Sequence, residues 1–180
     1  MQQRDTRSRF ENAILPHLAA AYNLARWLTR NEQDAEDVVQ EACVRAFRSF
    51  DGYRGGDDGR PWLLRIVRNT TYTWLRQHRS LEPALSFDET LHALPCDELN
   101  PENIMLRRVD VGLLRQALEA LPVEYREVIV LRELEGLSYK EIGDIAAVPL
   151  GTVMSRLARA RRRLADSLGE RLAEGSERGL

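Results

Sequence analysis

Between Leu81 and Leu106 the chain carries six acidic side chains, three prolines (Pro83, Pro95 and Pro101) and no basic residue. No amphipathic period runs through this stretch. Such a segment offers no apolar face to pack, so it reads as a linker, extended or only partly ordered. It divides the 180 residues into two units, each large enough for a small domain. Charge follows the same division: residues 1–80 carry 13 basic and 10 acidic side chains, and residues 107–180 carry 13 and 12. The net charge of −2 thus hides an acidic middle between two slightly basic ends. That excludes a uniformly basic, histone-like binder, but not nucleic acid.

Strand signals are almost absent. Ile14, Leu18, Ala21, Ala25 and Leu28 recur at helical spacing. So do Val38, Val39, Ala42, Cys43, Ala46, Phe47 and Phe50. Asp51–Gly59 (DGYRGGDDG) holds four glycines and three aspartates and must be a loop. Pro61 suits a first helical turn, after which Leu63, Ile66, Val67, Thr70 and Trp74 line one face, to about Arg79. Beyond the linker, Val111, Leu114, Leu118 and Leu121, then Val128, Leu131 and Leu134, resume the helical period. The expected fold is all-α: helical domains at 1–80 and 107–180, joined by the acidic linker 81–106.

The sharpest local signal is Leu137–Arg163, LSYKEIGDIAAVPLGTVMSRLARARRR. Ser138 and Glu141 form a capping box that starts a helix at Tyr139 and carries it to about Ala146. Val148–Pro149 breaks that helix, and Pro149 suits the start of the next. On the second helix Val153, Leu157, Ala160, Leu164 and Leu168 make a buried seam. The other side carries Met154, Ser155, Ala158, Arg159 and Arg162. Five arginines and no acid fall within Leu150–Arg163. Two tightly joined short helices, the second basic, describe a helix-turn-helix, whose second helix enters the major groove. A solvated basic face on a bundle helix is the plainer alternative.

Arg60–Arg79 is the second site-like stretch, with five arginines, no acid, and Trp62, Tyr72 and Trp74 interleaved. Arginines attract phosphates and aromatic faces accept unstacked bases, a composition suited to single-stranded DNA. Trp62 and Trp74 also fit as core residues twelve positions apart on nearly one face, so one of them is expected to be mainly structural. Glu32, Asp34, Glu36, Asp37 and Glu41 gather where a helix begins. The helix dipole suffices to explain them, and a docking face for a basic partner explains them equally.

Other chemistries find little support. Cys43 and Cys96 stand 53 positions apart with no CxxC, which excludes a zinc ribbon or finger and favours a reducing compartment. Cys43 lies on an apolar helical face and reads as core rather than as a redox sensor. His17, His78 and His92 fall in three separate segments, with no metalloprotease, nucleophile-elbow or phosphate-loop pattern. No catalytic residue, metal site or cofactor is expected. Arg4, Arg7 and Arg9 precede no apolar stretch of signal-peptide length, and no uncharged run could span a membrane. A cytoplasmic protein without membrane insertion is the expectation.

Three motifs in order resemble the extracytoplasmic-function (ECF) group of bacterial sigma factors, the promoter-specificity subunits of RNA polymerase. DAEDVVQEACVRAF at 34–47 is similar to their polymerase-docking segment, and PWLLRIVRN at 61–69 to the helix that melts the minus-10 region. LPVEYREVIVLRELEGLSYKEIGDIAAVPLGTVMSRLARAR at 121–161 is similar to the module that reads the minus-35 element. The resemblance implies a non-enzymatic factor whose partners are core RNA polymerase, promoter DNA and an anti-sigma factor. It implies docking by Asp34, Asp37, Gln40 and Glu41. For single-stranded minus-10 DNA it implies Tyr53, Arg60, Trp62, Arg65, Arg68 and Asn69. For duplex minus-35 DNA it implies Tyr139, Lys140, Thr152, Met154, Ser155, Ala158, Arg159 and Arg162, with Arg156 bracing the module.

The chain departs from the family pattern at Thr73, often Asp, at Met154, often basic, and at Ala158, often larger. A minus-35 sequence therefore does not transfer from relatives. The linker would either thread polymerase channels as a polyanion or serve as a solubilising tether. A stand-alone helix-turn-helix regulator of duplex operators would use residues 107–180 but leave 34–47 and 60–79 without work. A mimic that sequesters an anti-sigma factor would be expected to carry a receiver domain, and no βα repeat occurs.

Overall fold

A computed structural model describes the backbone of residues 2–55, 58–78 and 111–177, and the side chains of 6–55, 58–78 and 111–170. The expected linker at 81–106, with His92 and Cys96, lies outside the described residues. Every element among the described residues is helical. The N-terminal unit contains α1 (Gln2–Ile14), α2 (Leu18–Thr29), α3 (Glu32–Ser49) and α4 (Arg60–His78). The C-terminal unit contains α5 (Val111–Ala120), α6 (Val123–Ile129), α7 (Tyr139–Ala146) and α8 (Leu150–Glu177).

Local chemistry sets the joints. A short 3₁₀ turn around Pro16 separates α1 from α2. Arg30 takes a left-handed conformation (φ 61°) that ends α2, and the Asn31 side chain caps α3 by accepting from the Asp34 amide at 3.1 Å. Gly59 lets α4 begin against α1: a Cβ at this position would stand 2.5 Å from the Ala13 carbonyl oxygen. The three helices α2, α3 and α4 then pack mutually around Leu24, Leu28, Val38, Ala42, Leu63, Leu64 and Val67, all buried. In the other unit α8 packs on α5, α6 and α7 around Val128, Leu131, Ile142, Ile145, Val153 and Leu157. The units also touch each other, α2 against α6 and α4 against α7.

Three positions of the expected apolar stripes turn out differently, and Val111, in the first turn of α5, is 81% exposed. Phe47 is 48% exposed, although its ring meets the edge of Phe10 at 5.2 Å. Leu134, expected to follow Val128 and Leu131 inward, is 50% exposed. A π-helical turn, Val130–Leu134, continues α6. Seven residues after Val128, Glu135 returns to the same side of the helix and is 8% exposed, whereas Leu134 falls off that side. Gly136 (φ 67°) then closes the turn.

The capping box of α7 is present as expected. The Glu141 amide donates to the Ser138 hydroxyl at 3.3 Å, and the Ser138 amide donates to the Glu141 carboxylate at 2.8 Å. The Ser138 hydroxyl hydrogen bond, then the backbone one, holds the Glu141 carboxyl below its ordinary range. Its contribution is therefore complete above the ordinary carboxylate value and disappears as pH falls through the lowered one. Ser138→Ala should cost about 1 kcal/mol and reduce this part of the acid sensitivity to the share held by the backbone amide, measured by denaturant unfolding across pH.

Candidate nucleic-acid interface

Three surfaces hold the residues singled out by sequence. On α3, Asp37, Gln40 and Glu41 are exposed, while Asp34 is half-buried beside the cap. Glu41 pairs with Arg45 at 2.7 Å. The same face continues into Val44 and Phe47, 44% and 48% exposed, two apolar residues that sequence periodicity had assigned to other roles or passed over. The surface is thus acidic at one end and greasy at the other.

The second surface follows the loop and α4. Tyr53 and Trp62 lie 4.8 Å apart and both meet Phe50, at 5.5 and 6.1 Å, so Trp62 belongs to an aromatic wall. Trp74 instead stacks on His78 at 4.4 Å near the far end of α4. Both tryptophans are half-buried, so neither is solely a core residue. The Tyr53 hydroxyl donates to the Asp58 carbonyl at 3.1 Å, which folds the loop back on itself. Arg65 and Asn69 are exposed one turn apart.

Arg60 and Arg68 sit differently from Arg65, because both point into the C-terminal unit. One Arg60 nitrogen donates to the Glu135 carboxylate and to the Glu135 carbonyl, each at 2.6 Å. Asn23 donates to the other oxygen of that carboxylate at 3.2 Å. Arg68 Nε donates to Glu127 at 2.7 Å, and the Tyr72 hydroxyl donates to the second Glu127 oxygen at 3.0 Å. The Arg68 guanidinium also lies 4.1 Å from the centre of the Tyr72 ring. Burial works against the charge on Arg68, but the Glu127 carboxylate outweighs it and raises the guanidinium's pKa. Burial first, then the Glu127 charge, pushes the Tyr72 phenol far above its ordinary value, so it stays a donor. Glu127 itself is fully buried. Its signal in the sequence is one acid inside the apolar run Val128–Leu131 and its flanks (YREVIV), since a buried carboxylate needs a cation.

The third surface is the helix-turn-helix. Val153, Leu157 and Ala160 are buried as the seam required, and Met154, Ala158 and Arg162 are exposed. Thr152, Ser155 and Arg159 are half-buried, and the Ser155 hydroxyl donates back to the Thr152 carbonyl at 3.1 Å. At the start of α7, Lys140 is exposed and the Tyr139 ring packs 4.9 Å from the Arg132 guanidinium. Arg161 is held by Glu133 at 2.6 Å and Arg163 lies over Tyr125 at 5.1 Å, so both are engaged within the unit. Arg156, one turn before Arg159 and Ala160, is half-buried.

Two family models match in chain order, Sigma-70 region 2 over residues 13–81 and Sigma-70, region 4 over residues 112–164. The RNA polymerase sigma-H factor of Pseudomonas aeruginosa is 34% identical over 179 residues, covering 96% of this chain and 92% of that protein. The chain belongs to the ECF sigma factors of RNA polymerase. The ECF sigma-E factor of Escherichia coli K12 is 41% identical over 135 residues, 71% of this chain and 70% of that protein. The ECF sigma factor SigE of Mycolicibacterium smegmatis is 36% identical over 93% of this chain, which spans 65% of that relative's length.

Solved structures agree on the fold. The sigma factor RpoE of Bartonella quintana, in complex with the anti-sigma factor NepR, superposes with a TM-score of 0.67 at 28% identity, covering 89% of this chain and 96% of that one. CnrH, in complex with the cytosolic domain of CnrY, superposes with a TM-score of 0.61 at 26% identity, covering 89% and 88%. ECF sigma factors are transcription initiation factors rather than enzymes. No described helix is long and apolar enough to cross a membrane.

Proposed function

We propose that this ECF sigma factor acts in the cytoplasm, without catalysis of its own, by carrying core RNA polymerase to its promoters in three contacts. The exposed face of α3, from Asp37 through Gln40 and Glu41, docks on the polymerase, with Asp34 beside it. The loop at Tyr53 and the first turns of α4, with Arg60, Trp62, Arg65, Arg68 and Asn69, select and hold the minus-10 strand. Glycines in that loop give the backbone the freedom to close around a flipped base. The exposed side of α8, with Met154, Ala158 and Arg162 and with Thr152, Ser155 and Arg159 at its edge, reads the minus-35 duplex. Tyr139 and Lys140 take the backbone at the start of α7. The boundaries 1–80, 81–106 and 107–180 divide this labour, with the acidic segment as the connector. Control by an anti-sigma factor is supported by the two solved relatives, whose partners are an anti-sigma factor and a cytosolic domain.

One observation carries this reading. A capped helix-turn-helix with an open basic face follows, in the same chain, two further surfaces that a stand-alone operator binder does not need. The α3 contact supplies the test. Asp37→Arg with Glu41→Arg should weaken binding to core polymerase by about tenfold while leaving helicity and melting nearly unchanged. Fluorescence titration of labelled chain with core polymerase measures it, and an unchanged affinity removes α3 as the docking helix.

A further inference from the structure

We propose that an exposed apolar ridge on α8, formed by Leu150, Met154 and Ala158, reads the C5-methyl groups of thymines in the minus-35 duplex. This deepens the reading of α8 as the helix that enters the major groove, and rests on it. The three residues are four apart, so they form one row along the helix, and the next position of that row is Arg162. Leu150 is 52% exposed and Met154 41%, and Ala158 is exposed as well. Val153, Leu157 and Ala160 fill the seam against the rest of the unit, so the ridge stands beside the packed side and open to solvent. Single apolar residues on a surface need no partner, but three in one unbroken row make a patch that does.

The place of the ridge on the helix points to its ligand. In a helix-turn-helix the first turns of the second helix reach the base edges, and Leu150 and Met154 occupy those turns. Within Leu150–Ala158 the charged residue is Arg156, which is half-buried and, two positions beyond Met154, lies on the other side of the helix. The exposed arginines start at Arg161, past the ridge. Ser155 gives its hydroxyl proton to the Thr152 carbonyl at 3.1 Å. The leading part of this face is therefore apolar and poor in donors. The floor of a major groove presents one apolar group, the thymine methyl, and it marks T·A and A·T pairs alone. Contact between ridge and methyl removes apolar surface of both from water. Met154 suits that contact, because an unbranched thioether chain adapts to an irregular surface.

The test uses holoenzyme, formed from core RNA polymerase and the full chain, and the duplexes it selects from a library randomised across the minus-35 element. Each thymine of the selected element is then replaced by deoxyuridine, which removes the methyl and keeps the base pair. At the positions under the ridge this should lower affinity by about threefold. Met154→Ala or Leu150→Ala should lower affinity for the thymine duplex by a similar factor and then be indifferent to deoxyuridine at that position. Met154→Gln, of similar length and good helix propensity, serves in place of any variant that circular dichroism shows unfolded. A selected element without thymine, or affinities that deoxyuridine leaves unchanged throughout, overturn the methyl reading and leave the minus-35 reading standing. So does a deoxyuridine effect that persists in full in the ridge variants, since another residue then meets the methyl. Holoenzyme that selects no shared minus-35 element overturns the reading of α8, and this inference with it.

Discussion

Gly59→Ala should destabilise the N-terminal unit by about 1–3 kcal/mol, the effect of forcing extra volume into a closed site. The added methyl would meet the Ala13 carbonyl oxygen at 2.5 Å and the Ile14 Cδ1 at 3.0 Å. The first is backbone and cannot rotate away. To relieve the clash, α4 must retreat from α1, and α4 carries the aromatic wall and the arginines of the proposed minus-10 surface. Urea unfolding followed by tryptophan fluorescence reads the loss, since all three tryptophans lie in this unit. Gly52→Ala, where a Cβ meets nothing within 4 Å, serves as the control and should change stability little.

Arg159→Ala should cost about 1–3 kcal/mol at the preferred minus-35 sequence and flatten discrimination at one base pair. Arg162→Ala should weaken every sequence alike and lower the salt slope by about one. The contrast follows from position. Arg162 is exposed and can follow the phosphates, whereas Arg159 is half-buried. A guanidinium held close to the helix can present its paired donors to one guanine edge. Met154 adds no charge, so these two arginines carry much of the task on this face. Holoenzyme binding to single-base minus-35 variants at several salt concentrations separates the two roles. An equal loss for every variant on Arg159→Ala makes it a phosphate contact.

Much of the helical architecture is visible in residue order. Ser138, Glu141 and Pro149 mark the helix-turn-helix because capping and proline geometry are local properties. Val153, Leu157 and Ala160 give the seam of α8 because a regular helix repeats its period faithfully. Leu134 misleads because it is apolar and three residues after Leu131, yet Glu135, seven after Val128, is the position that falls on the buried side. Phe47 misleads because an aromatic on the stripe is counted as buried, although half of it remains on the surface beside Val44. The engagement of Arg60 and Arg68 by Glu135 and Glu127 joins residues 75 and 59 positions apart. Sequence spacing says nothing about such a contact, which depends on how the two units meet.

Run-off transcription with core RNA polymerase, on a template library randomised across the minus-35 and minus-10 elements, tests the central claim most directly. Transcripts should depend on this chain, and their templates should share two elements at a fixed spacing. Transcription no higher than with core polymerase alone, from a chain that still binds duplex DNA, would contradict it and leave a stand-alone helix-turn-helix regulator.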